Sequence, residues 1–295
     1  MNLRQIGEDR LLARLMPPGR RFKNVLAAAD DDCAVVRSGS ELFLLKTDCV
    51  VEGVHFAKRD DAVAVGWKAM MRPLSDFAAM SGVPQFALIT LVAPATKTVA
   101  WSEKLYVGLR KAAGKFGVQI VGGETSATRG PAVVSVTVTG VVENDRWVSR
   151  SRGRAGDELF VTGKLGGSIR GQHLHFVPRI EEARWLTENF PIHAMMDVSD
   201  GLGADLPRLA CASHLGFDIE ENALPRSPGC TVAQAINDGE DYELLFAISP
   251  RDRQRLLASW KKKFPKLLLT RIGRLTRHSS PVTRHFRGYV HFQKR

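Results

Sequence analysis

Apolar runs in this chain keep ending on acids, in five separate segments, although the chain as a whole is basic. Asp30, Asp31 and Asp32 stand directly before Cys33-Ala34-Val35-Val36, and Asp48 closes Leu42-Phe43-Leu44-Leu45-Lys46-Thr47. Asp76 ends a helix-like segment at Pro73-Leu74-Ser75, Glu124 follows Ile120-Val121-Gly122-Gly123, and Asp197 and Asp200 follow Ala194-Met195-Met196. A solvated surface would scatter acids along exposed helix faces, and an unpaired carboxylate beside a buried run is costly. One site that gathers hard, oxygen-binding cations explains the grouping.

With 295 residues the chain holds one large domain or two of ordinary size. Its 44% hydrophobic and 25% charged residues exclude a disordered chain. No apolar run reaches the roughly 18–20 residues of a membrane helix, and the first ten residues lack a signal-peptide core. A cytoplasmic enzyme or binding protein without a membrane partner is expected. The cysteines Cys33, Cys49, Cys211 and Cys230 share no CxxC spacing and read as reduced, core-type side chains. The net charge of +11 is uneven: residues 251–295 carry +13, which leaves −2 for the rest. Lys261-Lys262-Lys263 reads as a solvated helix end, and no aromatic interleaving supports a nucleic-acid partner.

The hydrophobic pattern alternates between strand and helix in both halves. Residues 33–38 and 42–49 form a hairpin across Ser38-Gly39-Ser40, and 60–80 reads as a helix with an apolar stripe. A buried strand at 85–93, a helix at 99–116, a short strand at 118–121 and a half-exposed strand at 133–142 follow. Charge without apolar periodicity at 143–157 marks a domain boundary. Beyond it, strands are expected at 158–162, 194–196, 217–220, 242–248 and 268–272, and helices near 181–189, 201–214, 230–237 and 250–263. This is a two-domain α/β or α+β pattern.

No phosphate-binding loop of the G-x-x-x-x-G-K-[ST] type, no dinucleotide fingerprint and no H-E-x-x-H is present. What remains is acidic. A negative charge at Asp76 opposes the helix dipole and calls for a positive neighbour. Gly122-Gly123-Glu124-Thr125 lets a ligand approach the backbone beside a carboxylate and a hydroxyl. Val198-Ser199-Asp200-Gly201 reads as a strand-to-helix turn, in which Ser199 or Asp200 either caps the helix or serves a ligand.

Together these segments resemble the thiamine-monophosphate kinases. The resemblance rests on Asp31-Asp32-Cys33-Ala34, on Thr47-Asp48-Cys49-Val50-Val51-Glu52-Gly53-Val54-His55-Phe56, and on Lys68-Ala69-Met70 followed by Leu74-Ser75-Asp76-Phe77-Ala78-Ala79-Met80. It continues through Gly122-Gly123-Glu124-Thr125, Val161-Thr162-Gly163 and Asp197-Val198-Ser199-Asp200-Gly201-Leu202. It ends with Gly239-Glu240-Asp241-Tyr242-Glu243-Leu244 and Gly288-Tyr289-Val290-His291-Phe292. The order is kept over nearly the whole chain, which favours this family over others of the aminoimidazole ribonucleotide synthetase-like superfamily.

The resemblance implies a mixed N-terminal sheet (1–148) that binds ATP and Mg²⁺ and pairs in a homodimer, and an α/β sandwich (149–295) that completes the site. It implies transfer of the ATP γ-phosphoryl to thiamine monophosphate, with several Mg²⁺ ions offsetting the repulsion between two phosphorylated substrates. Asp32, Thr47, Asp48, Asp76, Glu124, Asp197 and Asp200 match metal positions. Tyr106, Gly123, Glu124, Arg150 and Ser199 match ATP positions, and His55, Glu240 and Tyr289 match substrate positions. Asp48, Asp76, Asp197 and Arg150 are the expected catalytic set. The alternatives are another ATP-dependent enzyme of the superfamily, or a nucleotide- or nucleic-acid-binding homologue. The sequence departs from the family at Asp30 and Asp238, where glycine is usual, and at Glu124, one methylene longer than the usual aspartate. It is also compact between Gly171 and Pro178. Lys46 replaces a small hydroxyl residue, and its ammonium either displaces one Mg²⁺ or points away along the strand.

Overall fold

The computed structural model describes residues 2–16, 23–277, 286, 288 and 289. Two short helices, α1 (Leu3–Ile6) and α2 (Glu8–Leu15), precede β1 (Val25–Ala27), β2 (Ala34–Ser38) and β3 (Glu41–Val51). The chain continues through α3 (Ala62–Ala79), β4 (Val83–Pro94), α4 (Val99–Lys115), β5 (Gln119–Thr128) and β6 (Val133–Val142). The six strands form one mixed sheet in the order β1-β2-β3-β6-β4-β5, in which only the β4–β5 pair is parallel.

Alternation along β3 decides what faces what. Leu42, Leu44 and Val50 are buried under α3, so Lys46 and Asp48 share their side of the sheet, while Leu45, Thr47 and Cys49 face the other. β2 pairs with β3 only as far as Ala34 opposite Leu45, so the Asp30–Cys33 loop runs beside Lys46 and Asp48. The helix α3 starts at Asp61, whose side chain accepts from the Ala64 amide, and buries nearly its whole length. α4 crosses α3 at two glycines. A Cβ on Gly66 would lie 2.0 Å from the Leu105 carbonyl oxygen, and one on Gly108 would lie 2.0 Å from that of Val63. Among the described residues the opposite sheet face carries no helix, and it exposes Leu45, Phe86, Leu88 and Val121, at 41%, 43%, 47% and 57%.

The second half holds β7 (Glu158–Thr162), α5 (Ile180–Asn189), β8 (Ile192–Asp197), α6 (Leu202–Ala212) and β9 (Gly216–Ile219). It ends with α7 (Val232–Asn237), β10 (Leu244–Ile248), α8 (Arg253–Lys263) and β11 (Leu269–Thr276). The five strands pair antiparallel in the order β8-β10-β7-β11-β9. β7 and β10 are buried along their full length because each face of the sheet carries its own core. Leu159, Val161 and Leu245 pack against α6 and α7, and Phe160, Met195 and Phe246 pack against α5 and α8. The result is a three-layer sandwich.

Candidate active site

Asp48 is not at the end of its strand. It lies inside β3, whose antiparallel pairing with β6 runs on to Val51. Asp76 likewise lies within α3, in its last turn, and Asp197 is the last residue of β8. These three and Asp32 line a cleft of about 660 Å³ between the two sheets, with Lys46, Arg72, Arg150, Ser199 and Asp200. One carboxylate oxygen from each of Asp32, Asp76 and Asp197 lies within 4.8 Å of the others, and all three residues are buried. The positive neighbour expected at Asp76 is Lys46, whose Nζ donates to Asp76 Oδ1 at 2.9 Å. Arg150 Nη2 donates to Asp32 Oδ1 at 2.6 Å, the Ser75 hydroxyl donates to Asp197 Oδ2 at 2.6 Å, and Arg72 Nη2 lies 3.9 Å from Asp48 Oδ1.

The protonation pattern follows from this crowding. Burial, then the charge of Asp32, pushes Asp197 up to about 7, and burial with Asp32 also pushes Asp31 up to about 6. Burial carries Asp76 well above the ordinary carboxylate value against the pull of Lys46. Burial would raise Asp48 too, but Lys46 and Arg72 outweigh it and hold that carboxyl low. Oδ2 of Asp32 is buried without a hydrogen-bond partner among the described residues. Buried, mutually repelling carboxylates with an orphaned oxygen fit a hard cation held by oxygen donors, as Mg²⁺ is.

A second pocket, of about 300 Å³, adjoins the cleft and shares Arg72, Ser199, Asp200 and Tyr242 with it. His55, Glu240 and Tyr289 all line this pocket, so three residues far apart in sequence come together there. Glu240 Oε2 accepts from Lys68 Nζ at 2.6 Å and lies 2.9 Å from His173 Nδ1. Burial would raise its carboxyl, but His173 and Lys68 hold it down at about 2. It therefore stays charged at neutral pH. Burial lowers the Lys68 ammonium to about 8, against the pull of Glu240.

Other expectations are revised. Neither Ser199 nor Asp200 caps α6: Gly201 is its N-cap, and the Asp205 carboxylate accepts from the Ser199 and Asp200 amides at 3.0 and 2.9 Å. Asp200 is tied to Arg208 Nη1 at 2.5 Å. Cys33 and Cys230 are buried, but Cys49 and Cys211 are exposed and so are not core side chains. Thr47 is on the helix-free face, hydrogen-bonded to Thr137 at 3.0 Å, so its hydroxyl points away from the cleft. Glu124 is in mid-strand, because β5 runs to Thr128 in parallel with β4. It sits opposite Thr90, which faces Ser135, which faces Cys49. Three strand spacings put it about 14 Å from β3. Gly123 is bare because a Cβ there would lie 1.8 Å from the Ile89 carbonyl oxygen, a requirement of strand pairing. Tyr106 packs half-buried on α4 against the core beneath the six-stranded sheet. Within one chain, Tyr106, Gly123 and Glu124 do not reach the cleft.

Arg72, His173, Ser75 and Arg208 were not among the expected site residues. A signal for the first and third is in the sequence: Lys68, Arg72, Ser75 and Asp76 recur at helical spacing along an otherwise apolar α3.

Residues 30–142 match the model of the AIR synthase related protein N-terminal domain, and residues 149–283 match that of the C-terminal domain. The thiamine-monophosphate kinase of Rhodopirellula baltica is 37% identical over 83% of this chain and 83% of its own. That of Escherichia coli is 31% identical over 97% and 98%. A solved structure described as "AaThiL complexed with AMPPCP and TMP" superposes with a TM-score of 0.81 at 30% identity, covering 99% of each chain. Escherichia coli HypE, at 20% identity, 81% coverage of each chain and a TM-score of 0.67, shares the fold alone. The chain belongs to the thiamine-monophosphate kinase family, within the AIR synthase related proteins.

Proposed function

We propose that this protein transfers the γ-phosphoryl group of ATP to the phosphate of thiamine monophosphate, giving thiamine diphosphate and ADP. One observation carries the reading: a carboxylate-lined cleft suited to cations opens into a pocket in which the Glu240 carboxylate is held by Lys68 and His173. The relative crystallised with AMPPCP and TMP supports it. Glu240 supplies the negative charge that a cationic thiazolium ring requires, and Tyr289 gives an aromatic neighbour. Arg72 stands where pocket and cleft meet and is placed to bind the acceptor phosphate as a forked donor.

Asp32, Asp76 and Asp197 would hold Mg²⁺, with Asp48 and Asp200 at the rim of the same cleft. Bound there, the metal would neutralise phosphate oxygens and so let two anions approach each other. The reaction breaks the bond between the γ-phosphorus and the β-bridging oxygen as a thiamine monophosphate oxygen bonds to that phosphorus. The acceptor oxygen is already deprotonated, so neither a protein base nor a protein nucleophile is required. Arg150, paired with Asp32, adds positive charge beside the donor phosphates.

Tyr106, Gly123 and Glu124 match ATP positions yet stand apart from the cleft. We infer that a second copy supplies them. The exposed edge of β5 and the apolar helix-free face carrying Phe86, Leu88 and Val121 are the surface for that pairing. Purified protein with Mg·ATP and thiamine monophosphate should form thiamine diphosphate, detectable by chromatography. No product, together with tight, salt-sensitive binding of RNA or DNA, would replace the kinase reading with a nucleic-acid-binding one.

A further inference from the structure

The four buried or half-buried acids of the cleft are not equivalently partnered. Asp32 has Arg150, Asp48 has Arg72 nearby, and Asp197 has only the Ser75 hydroxyl among the described residues. Asp76 has a lysine of its own. Lys46 projects from β3 on the same side as Asp48, two residues on, and its ammonium closes on Asp76 Oδ1 at 2.9 Å. The ammonium is thus held on the acid of α3, and its charge also draws down the carboxyl of Asp48 on the same face. Asp32 Oδ2 is buried and has no hydrogen-bond partner among the described residues, and Asp32 and Asp197 each bring an oxygen within 4.8 Å of the other. The cleft has one position filled by a cation of the chain itself and another whose donors lack one.

We propose that the Lys46 ammonium is a resident cation of this site, occupying the place beside Asp76 that a divalent ion would otherwise take. This deepens the reading of the cleft as a Mg²⁺ site and rests on it. A fixed ammonium brings one positive charge with three directed donors and no exchangeable waters. A divalent ion brings two charges and open coordination positions. The divalent cations of this protein therefore bind on the Asp32–Asp197 side, and the site carries one fewer of them than the same cleft without the lysine.

The count is readable without turnover. Mn²⁺ titrated into the whole protein with a non-hydrolysable ATP analogue, and followed by the loss of free-ion EPR signal, gives the number bound per chain. Lys46→Ser should bind one more Mn²⁺ than the unaltered protein, and Lys46→Arg the same number as it. An equal count for Lys46→Ser and the unaltered protein overturns the proposal. A second readout needs no variant. In crystals of the unaltered protein soaked in Mn²⁺, the anomalous signal should lie beside Asp32 and Asp197. A peak bridging Asp76 and Asp48 overturns the proposal. The outcome is separable from that of the kinase reading, since a protein that forms no thiamine diphosphate can still show the extra ion in Lys46→Ser.

Discussion

Asp241 and Glu240 are neighbours in sequence with opposite electrostatic fates, and the cause is what each one meets. Glu240 turns into the smaller pocket and finds Lys68 and His173. Asp241 turns the other way and, among the described residues, accepts only the Gly166 amide, at 3.0 Å, with Glu243, Asp238 and Glu240 around it; burial first, then these acids, push it up to about 8. A carboxyl whose folded value exceeds its unfolded value binds its proton more tightly in the native state. Stability is then lost as pH rises from about 4, the unfolded value, through about 8. Asp241→Asn keeps the acceptor for Gly166 and removes the titration. It should melt above the unaltered protein at pH 8–9 by several degrees, at about 2–4 °C per kcal/mol. The gap should close towards pH 4 in scanning fluorimetry; a gap independent of pH would refute this cause.

Among the elements, the α3–α4 crossing sets where Lys68, Arg72, Ser75 and Asp76 point, because α3 is clamped between the sheet and α4. The clamp depends on backbone contact at Gly108. Gly108→Ala places a methyl group 2.0 Å from the Val63 carbonyl oxygen and 2.9 Å from the Trp67 amide nitrogen, neither of which is a flexible side chain. A loss of about 1–3 kcal/mol is expected, measured by urea unfolding; an unchanged midpoint would mean that the helices separate freely. The elements were largely legible in the sequence. The Ser38–Ser40 turn, the α3 stripe and the strict alternation of β6 each state their period within a few residues. β5 was read too short because its second half is Gly-Gly-Glu-Thr-Ser-Ala-Thr, an edge strand held by pairing to β4 rather than by apolar burial. The acids of the site were legible as a group, but their facing was not. Thr47 and Asp48 are adjacent in one motif, and the two-residue period of β3 puts them on opposite sides of the sheet. Lys68 and His173 on Glu240 are meetings across 172 and 67 positions, which no local pattern announces.

The whole molecule poses a different question, since Glu124, part of the expected nucleotide site, stands about 14 Å from β3 in its own chain. If a second copy completes each site, two differently damaged copies can repair one another. Asp48→Asn and Glu124→Gln homodimers should each be nearly inactive. When mixed and allowed to exchange, half of the dimers become hybrids with one intact site in two, restoring about a quarter of the unaltered rate. No gain on mixing, with exchange verified by mass, would place Glu124 at its own chain's site or at none.

In the proposed reaction the two phosphates meet directly, and the carboxylates serve cations rather than attack phosphorus. The stereochemical course at the transferred phosphorus reads this without intermediaries. With γ-phosphorothioate ATP made chiral by oxygen isotopes, a single direct transfer to thiamine monophosphate gives inversion in the thiamine diphosphate analogue formed. Retention would reveal two successive displacements through a phosphorylated side chain, and would return Asp48, Asp76 or Asp197 to the role of nucleophile.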